Sequence, residues 1–317
     1  MTARAMADTT AAARLAGQVS AAGRASPAKA LLEAMRPRQW AKNVFVLAGI
    51  VFAGRLFDKG ALARTAAIFA VFCAAASSVY LLNDVADKAH DQHHPTKRLR
   101  AVASGRLSGG AALAAAAALA LGAVAGAALL GREPLFITGG YLLSTLAYSL
   151  RLKRVFLLDV MIIAAGFTLR AAVGAAAIGA AISAWLLCCS FLLALFLALG
   201  KRRAELTLLG AGAAGEHRAA LLDYSLPLLD SWLTALSGAT IVSYAIYTQS
   251  ERTVEHFGTS SLVYTVPFVI YALFRYQHLL VREGQGGDPG SLLLRDRGLW
   301  IALVGWAATA ALVIYGR

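Results

Sequence analysis

Nine runs of mostly apolar residues follow one another along the 317-residue chain, at 41–57, 62–82, 108–130, 134–149, 156–178, 183–200, 224–248, 259–281 and 298–316. A helix needs about 20 such residues to cross the hydrocarbon of a bilayer. The chain is therefore expected to be all-α, a polytopic membrane helical bundle of about nine transmembrane helices. The runs 41–57, 134–149 and 183–200 are short, so eight is the alternative count, but each is bounded by charged or glycine-containing turns. A chain that is 59% hydrophobic and only 15% charged has the composition of a membrane protein and not of a soluble domain of this size.

The formal charge of +13 raises the question of nucleic acid, since basic chains often bind phosphate backbones. Its distribution excludes that reading. Of the 30 Lys and Arg, 23 fall before or at the start of the first run, or in or beside alternate loops on one side of the expected membrane, with Arg170 inside the fifth run. The excess of positive charge in cytoplasmic loops places the N-terminus and that charged face in the cytoplasm, the C-terminus outside, and the protein in the cell inner (plasma) membrane.

Residues 1–28 are Ala-rich with scattered Arg and lack the apolar core of a signal peptide, so they are expected to be a disordered cytoplasmic leader. Residues 29–40 interleave Leu31, Leu32, Met35 and Trp40 with Lys29, Arg36 and Arg38, as expected of an amphipathic helix lying in the membrane interface. The transmembrane domain then fills 41–317. Cys73, Cys188 and Cys189 sit in apolar runs without metal-ligand spacing, which assigns them to packing.

Because a bilayer penalises ionisable groups, the polar clusters at helix ends are the informative ones. In YLLNDVADKAHDQHHPTKRLRAVASGRL (80–107), Asn83, Asp87 and Asp91 are four residues apart. On a helix that spacing drifts only about 40° per step, so the three share a face, and Asp84 joins them. Such oxygen donors suit Mg2+, which combines one or two carboxylates with substrate phosphates. The plain alternative is a solvated helix end whose acids pair with Lys88 and Lys97. His90, His93 and His94 do not supply the converging ligands zinc requires, and Pro95 ends the helix. Lys97, Arg98, Arg100 and Arg106 crowd a turn suited to phosphate or to anionic lipid.

A second cluster, YSLRLKRVFLLD (148–159), gathers Tyr148, Arg151, Lys153, Arg154 and Asp159 at the same side. Asp159 opens an apolar run and must face water, a metal or a cation. Arg170 lies 11 residues deeper, about 16 Å along the helix, too far to pair with Asp159. Backbone carbonyls and an anionic ligand are the two readings for it. The remaining clusters are GKRRAEL (200–206) and LLLRDRGL (292–299).

NDVADKAHD fits NxxxDxxxD, and with YSLRLK after the fourth run the chain resembles the UbiA superfamily of intramembrane prenyltransferases over residues 35–317. The resemblance implies a nine-helix fold open to the cytoplasm and laterally to lipid, with Mg2+ on Asn83, Asp84, Asp87 and Asp91 holding a substrate diphosphate, and Tyr148 and Lys153 nearby. Prenyltransferases acting on aromatic acceptors carry a second Asp-rich motif after the sixth helix. Here GKRRAEL puts Lys201, Arg202 and Arg203 in its place, with Glu205 the one carboxylate. A basic stretch suits a phosphate-bearing ligand bound directly.

MRPRQWAKN, which contains Lys42, NDVADKAHDQHHPTKRLR, LLDVMIIAAGFTLRAAVG, GKRRAEL and LLLRDRGL are together similar to the branch of that superfamily that transfers phosphoribose. The resemblance implies that 5-phosphoribose 1-diphosphate and a polyprenyl (decaprenyl) phosphate give polyprenyl-phosphoryl-5-phosphoribose and pyrophosphate. It implies catalytic roles for Asp87, Asp91 and Asp159, the last on ribose hydroxyls or a second Mg2+. Lys153, Lys201 and Arg202 would grip donor phosphates, Lys97 or Arg98 would hold one substrate at the rim, and the lipid tail would lie between helices. Lys42, Tyr148, Arg170 and Glu205 complete the implied substrate set. Two other readings are a prenyl transfer to an aromatic acceptor and, more remotely, a transporter or scaffold; transporters concentrate ionisable groups near the midplane, whereas here nearly all acids lie at one face. The sequence is compatible with a homo-oligomer and does not specify one.

Overall fold

The computed structural model describes residues 26–316 apart from Pro95, Ile182, Arg218, 283–291 and 293–294, with no side-chain description for 209–220. Residues 1–25 of the expected leader and part of the LLLRDRGL cluster lie outside the described residues. Among the described residues every regular element is helical.

In chain order the α-helices are α1 Pro27–Ala34, α2 Ala48–Phe52, α3 Lys59–Ala86, α4 Lys88–His93, α5 Gly109–Leu130, α6 Arg132–Leu150, α7 Leu158–Ala177, α8 Ala184–His217, α9 Leu226–Gln249, α10 Glu251–Phe257, α11 Val266–Arg282 and α12 Arg297–Tyr315. Their starts are written locally. Ser26, Ser108, Ser225 and Asp296 each accept a hydrogen bond from a backbone N–H of the first turn, which satisfies one of the donors a helix leaves open. Pro27 and Pro227 stand in first turns, where a missing N–H costs nothing.

The described residues form two compact units, one comprising those up to 44 with 67–142, the other 45–66 with 143–316. In the first, Ala30 and Ala34 of α1 pack with Leu81, Ala101, Val102, Leu107, Ala112 and Ala116. In the second, α8 packs against α7 and α9, and α11 against α12. Its main core runs through Val160, Phe196, Leu199, Leu229, Leu233, Tyr276 and Leu280.

Among the described residues five helices, α3, α5, α7, α12 and the 184–208 part of α8, are long and apolar enough to cross a membrane, and a sixth span arises if α10 and residues 261–282, bent by 100°, are counted as one. The expected count of nine spans is thus not confirmed. The run 41–57 is not one helix: a 3-10 stretch, Pro37–Leu47, leads into the five-residue α2, and the chain turns at Gly54 with φ +66°. Residues 29–40 are likewise split, because α1 ends at Ala34 and Arg36 takes φ +55°. The run 183–200 is instead the start of a 34-residue helix. Lys, Arg, Ala, Glu and Leu are all good helix formers, so GKRRAEL prolongs α8 instead of ending it.

Two glycines of the second unit mark a backbone crossing. A Cβ on Gly49 would overlap the backbone of Gly174 and Ala175, and one on Gly174 would overlap the carbonyl of Val46. Neither obstacle is a side chain that can rotate away. Gly174→Leu is expected to lower the melting temperature of the detergent-purified protein, in line with an overpacking penalty of about 1–3 kcal/mol or more. Gly238→Ala, where nothing stands within 4 Å, is expected to leave it unchanged or higher.

Candidate functional site

The first unit carries the acidic face. α3 and α4 are separate helices, yet Asp87 N–H donates to the Asn83 carbonyl (2.9 Å) and Asp91 N–H to the Asp87 carbonyl (2.8 Å). The helical ladder therefore runs through the junction, and Asn83, Asp87 and Asp91 do occupy successive turns. Asp84 and Asp91 are 2% and 1% exposed, whereas Asn83 and Asp87 are half-buried.

The two buried acids pair with arginines, not with Lys88 or Lys97. Asp84 accepts from Arg36, and Arg100 reaches Asp91 at 2.7 Å and Asp84 at 3.5 Å. Arg36 also lies over the Tyr80 ring, 5.0 Å from its centroid. Each guanidinium keeps about a third of its side-chain surface exposed, at 29% and 30%. Neither arginine was expected to hold these acids, because 48 residues separate Arg36 from Asp84 and no periodicity links them. Lys97 is half-buried and Arg98 exposed in the 3-10 turn after α4, where His94 Nδ1 accepts from the N–H groups of Thr96 (3.2 Å) and Lys97 (3.3 Å). Lys42 is exposed on the 37–47 stretch. Cys73 accepts from the Asn43 amide at 3.2 Å inside the unit.

Among the described residues no three His, Cys, Asp or Glu side chains come together closely enough to hold a metal by themselves. The donor chemistry of Asn83, Asp87 and Asp91 still fits Mg2+, which keeps waters and takes only one or two carboxylates when a substrate supplies phosphate oxygens. The arrangement suits a metal that arrives with a diphosphate; it does not suit an all-protein cage.

The second unit holds the cationic cluster. Asp159, with no exposed surface, accepts from Arg202 Nε at 2.8 Å and from the Tyr224 hydroxyl at 2.7 Å. Arg202, 2% exposed, also donates to Glu205, one turn on, at 2.5 Å. Arg203 points elsewhere: it donates to Asp230 of α9 and to the Leu280 carbonyl of α11 (3.1 Å), joining three helices through one guanidinium. Lys201 is exposed, while Tyr148 and Lys153 are half-buried at the end of α6 and in the 152–154 turn. Arg170 is 6% exposed, donates to the Gly166 carbonyl at 2.7 Å, and lies 5.2 Å from the Phe167 ring centroid; the carbonyl reading has a direct partner.

The structure thus brings Asp159, Arg202 and Glu205 into one network. Tyr224 and Asp230 escaped the sequence reading, as did the pairing of Arg203 with Asp230. The sole local hint is the YSLP segment, in which Tyr224 precedes the Ser225 cap of α9.

The helical fold has counterparts in known proteins. Residues 43–286 match the model of the UbiA prenyltransferase family, and the chain belongs to that family. Within it, the chain is 34% identical over 295 residues to a decaprenyl-phosphate phosphoribosyltransferase from Corynebacterium glutamicum, covering 91% of this chain and 87% of that protein. It is 35% identical over 291 residues to the protein of the same name from Mycobacterium tuberculosis, covering 90% and 95%. The structure of a UbiA homolog from Archaeoglobus fulgidus bound to GPP and Mg2+ superposes with a TM-score of 0.67 at 18% identity, over 90% of this chain and 99% of that one, which establishes the shared fold.

Breaking a buried ion pair by removing one partner leaves a desolvated charge and costs about 3–5 kcal/mol. Arg202→Met is therefore expected to lower the melting temperature of the purified protein markedly. Lys201→Met, at an exposed position, is expected to leave it unchanged, and equal losses in the two variants would contradict the roles given to these neighbours.

Proposed function

We propose that this chain is a transferase that moves 5-phosphoribose from 5-phosphoribose 1-diphosphate to a polyprenyl phosphate such as decaprenyl phosphate, releasing pyrophosphate. The observation that carries the proposal is Lys201-Arg202-Arg203, borne on the unbroken α8 with two of its cations already committed to carboxylates. A prenyl diphosphate held through a second metal would need acids at that place. The relatives named above, alike over about nine-tenths of the chain, support the same reading.

In this reaction the C1–O bond to the diphosphate breaks and a lipid phosphate oxygen forms the new bond to C1. The polyprenyl phosphate is already an anion at neutral pH, so no strong general base is required. Positioning and charge neutralisation then supply most of the rate. Asn83, Asp87 and Asp91, with Asp84 behind them, would hold Mg2+, which when bound neutralises and orients the pyrophosphate. Lys153 and Lys201 bind donor phosphates, and Lys97 or Arg98 holds a substrate at the rim. Arg202 acts with Asp159 and Glu205 to fix this cationic region. By the distribution of positive charge along the sequence, the helix ends and loops bearing these groups are cytoplasmic, as is the N-terminus, and the C-terminus is outside.

Purified protein incubated with labelled phosphoribosyl diphosphate, polyprenyl phosphate and Mg2+ is expected to form a labelled lipid, and prenyl diphosphate with 4-hydroxybenzoate is expected to give no product. The opposite pattern would replace this reading with aromatic prenylation. Asp87→Ala is expected to abolish turnover with the fold intact; near-normal activity would remove the metal assignment. A reporter fused at the C-terminus that works only outside the cytoplasm is expected to be active, and inactive when fused at the N-terminus.

A further inference from the structure

The segment between α6 and α7 contains a strained residue that the reaction outlined above does not use. Leu157 has φ +63° and ψ −42°, and the N–H of Leu158 donates to the carbonyl of Phe156 at 2.8 Å. Together these define a γ-turn of the positive-φ kind, which is rare and strained. Leucine gains nothing there, since glycine is the residue that takes positive φ without a steric penalty. Such a conformation persists only where its surroundings hold it.

What holds it is Tyr224. Its hydroxyl accepts from the Leu157 N–H at 3.2 Å and donates to Asp159 at 2.7 Å, so one side chain grips the turn on both sides of Leu158. The ring is wedged between Phe156, at 4.8 Å between centroids, and Trp232, at 6.3 Å. The 152–154 turn that carries Lys153 immediately precedes this clasp. Asp159 in turn anchors Arg202, next to Lys201.

We propose that Tyr224 is a positioning residue for transfer, whose hydroxyl locks the Phe156–Leu158 γ-turn and thereby fixes where Lys153 presents its ammonium to the donor phosphates. The inference rests on the reading of Lys153 as a phosphate contact. It adds a residue from a separate helix start, 65 positions beyond Asp159, that touches neither substrate.

Tyr224→Phe deletes only the hydroxyl. Its expected effect is a KM for phosphoribosyl diphosphate raised by about tenfold, the equivalent of one or two lost hydrogen bonds, with the KM for polyprenyl phosphate unchanged and kcat lowered less. In a double-mutant cycle, Lys153→Ala is expected to cost clearly less in the Tyr224→Phe background than in the wild type, because the two changes remove the same contact. Strict additivity, or equal increases in both KM values, would overturn the positioning role and leave Tyr224 a packing residue. Should Tyr224→Phe fold poorly, the Leu157→Gly/Tyr224→Phe double variant takes its place, since glycine relieves the strain and lets the chain fold while its wide conformational freedom leaves the turn unlocked; a wild-type donor KM in that variant would also overturn the proposal. If Lys153→Ala alone leaves the donor KM unaltered, the phosphate reading of Lys153 fails and this inference with it. A wild-type enzyme that transfers no phosphoribose would instead refute the proposed function itself.

Discussion

A carboxylate and a guanidinium with almost no water around them set the terms for the second unit. Taking Asp159 and Arg202 out of solvent is expensive, and the expense is offset only if geometry is good and the remaining donors and acceptors are used. Here they are used: Asp159 gives one oxygen to Arg202 and the other to Tyr224, and Arg202 gives its second nitrogen to Glu205. Because Asp159 opens α7, Arg202 lies within α8 and Tyr224 precedes α9, the network fixes three helix positions at once. A pair this demanding tolerates little displacement, which is why the loop carrying Lys153 can be held in a strained shape beside it.

The first unit solves a related problem in the opposite sense. Four acceptor side chains along one helical face would repel one another if all were left to themselves. The structure buries two of the acids, Asp84 and Asp91, against Arg36 and Arg100, and leaves Asn83 and Asp87 half-buried. Charge is thus balanced at two of the four positions, while Asn83 and Asp87 keep partly accessible oxygens. The arginines come from well apart in the chain, one from the segment after α1 and one from the loop after α4, and they tie both segments to the end of α3.

Much of this was legible in the residues. A spacing of four is a local, geometric signal, so the shared face of Asn83, Asp87 and Asp91 could be read directly, and the family could be read from the motif and its flanking helices. Long-range partners could not. Nothing in NDVADKAHD indicates that Arg36 will meet Asp84, and nothing in LLDV indicates that a tyrosine 65 residues later will meet Asp159. Hydropathy also cannot tell a spanning helix from a broken one. The run 41–57 is apolar enough, but close packing of Gly49 and Val46 against the Gly174 region selects a 3-10 stretch and a short helix. Conversely, charge after residue 200 suggested an end where favourable propensities simply continue α8.

For the proposed transfer, that continuation has a consequence for where the two reactants can meet. With Ala184 at one edge of the hydrocarbon, the 17 residues to Lys201 rise about 26 Å, close to the roughly 30 Å thickness of a bilayer core. Lys201 then stands at the level of the lipid headgroups. A polyprenyl phosphate left in its leaflet has its own phosphate at that depth, so it need not be lifted out of the bilayer, nor need a soluble sugar diphosphate be drawn into it. The reaction plane coincides with the natural boundary between oil and water.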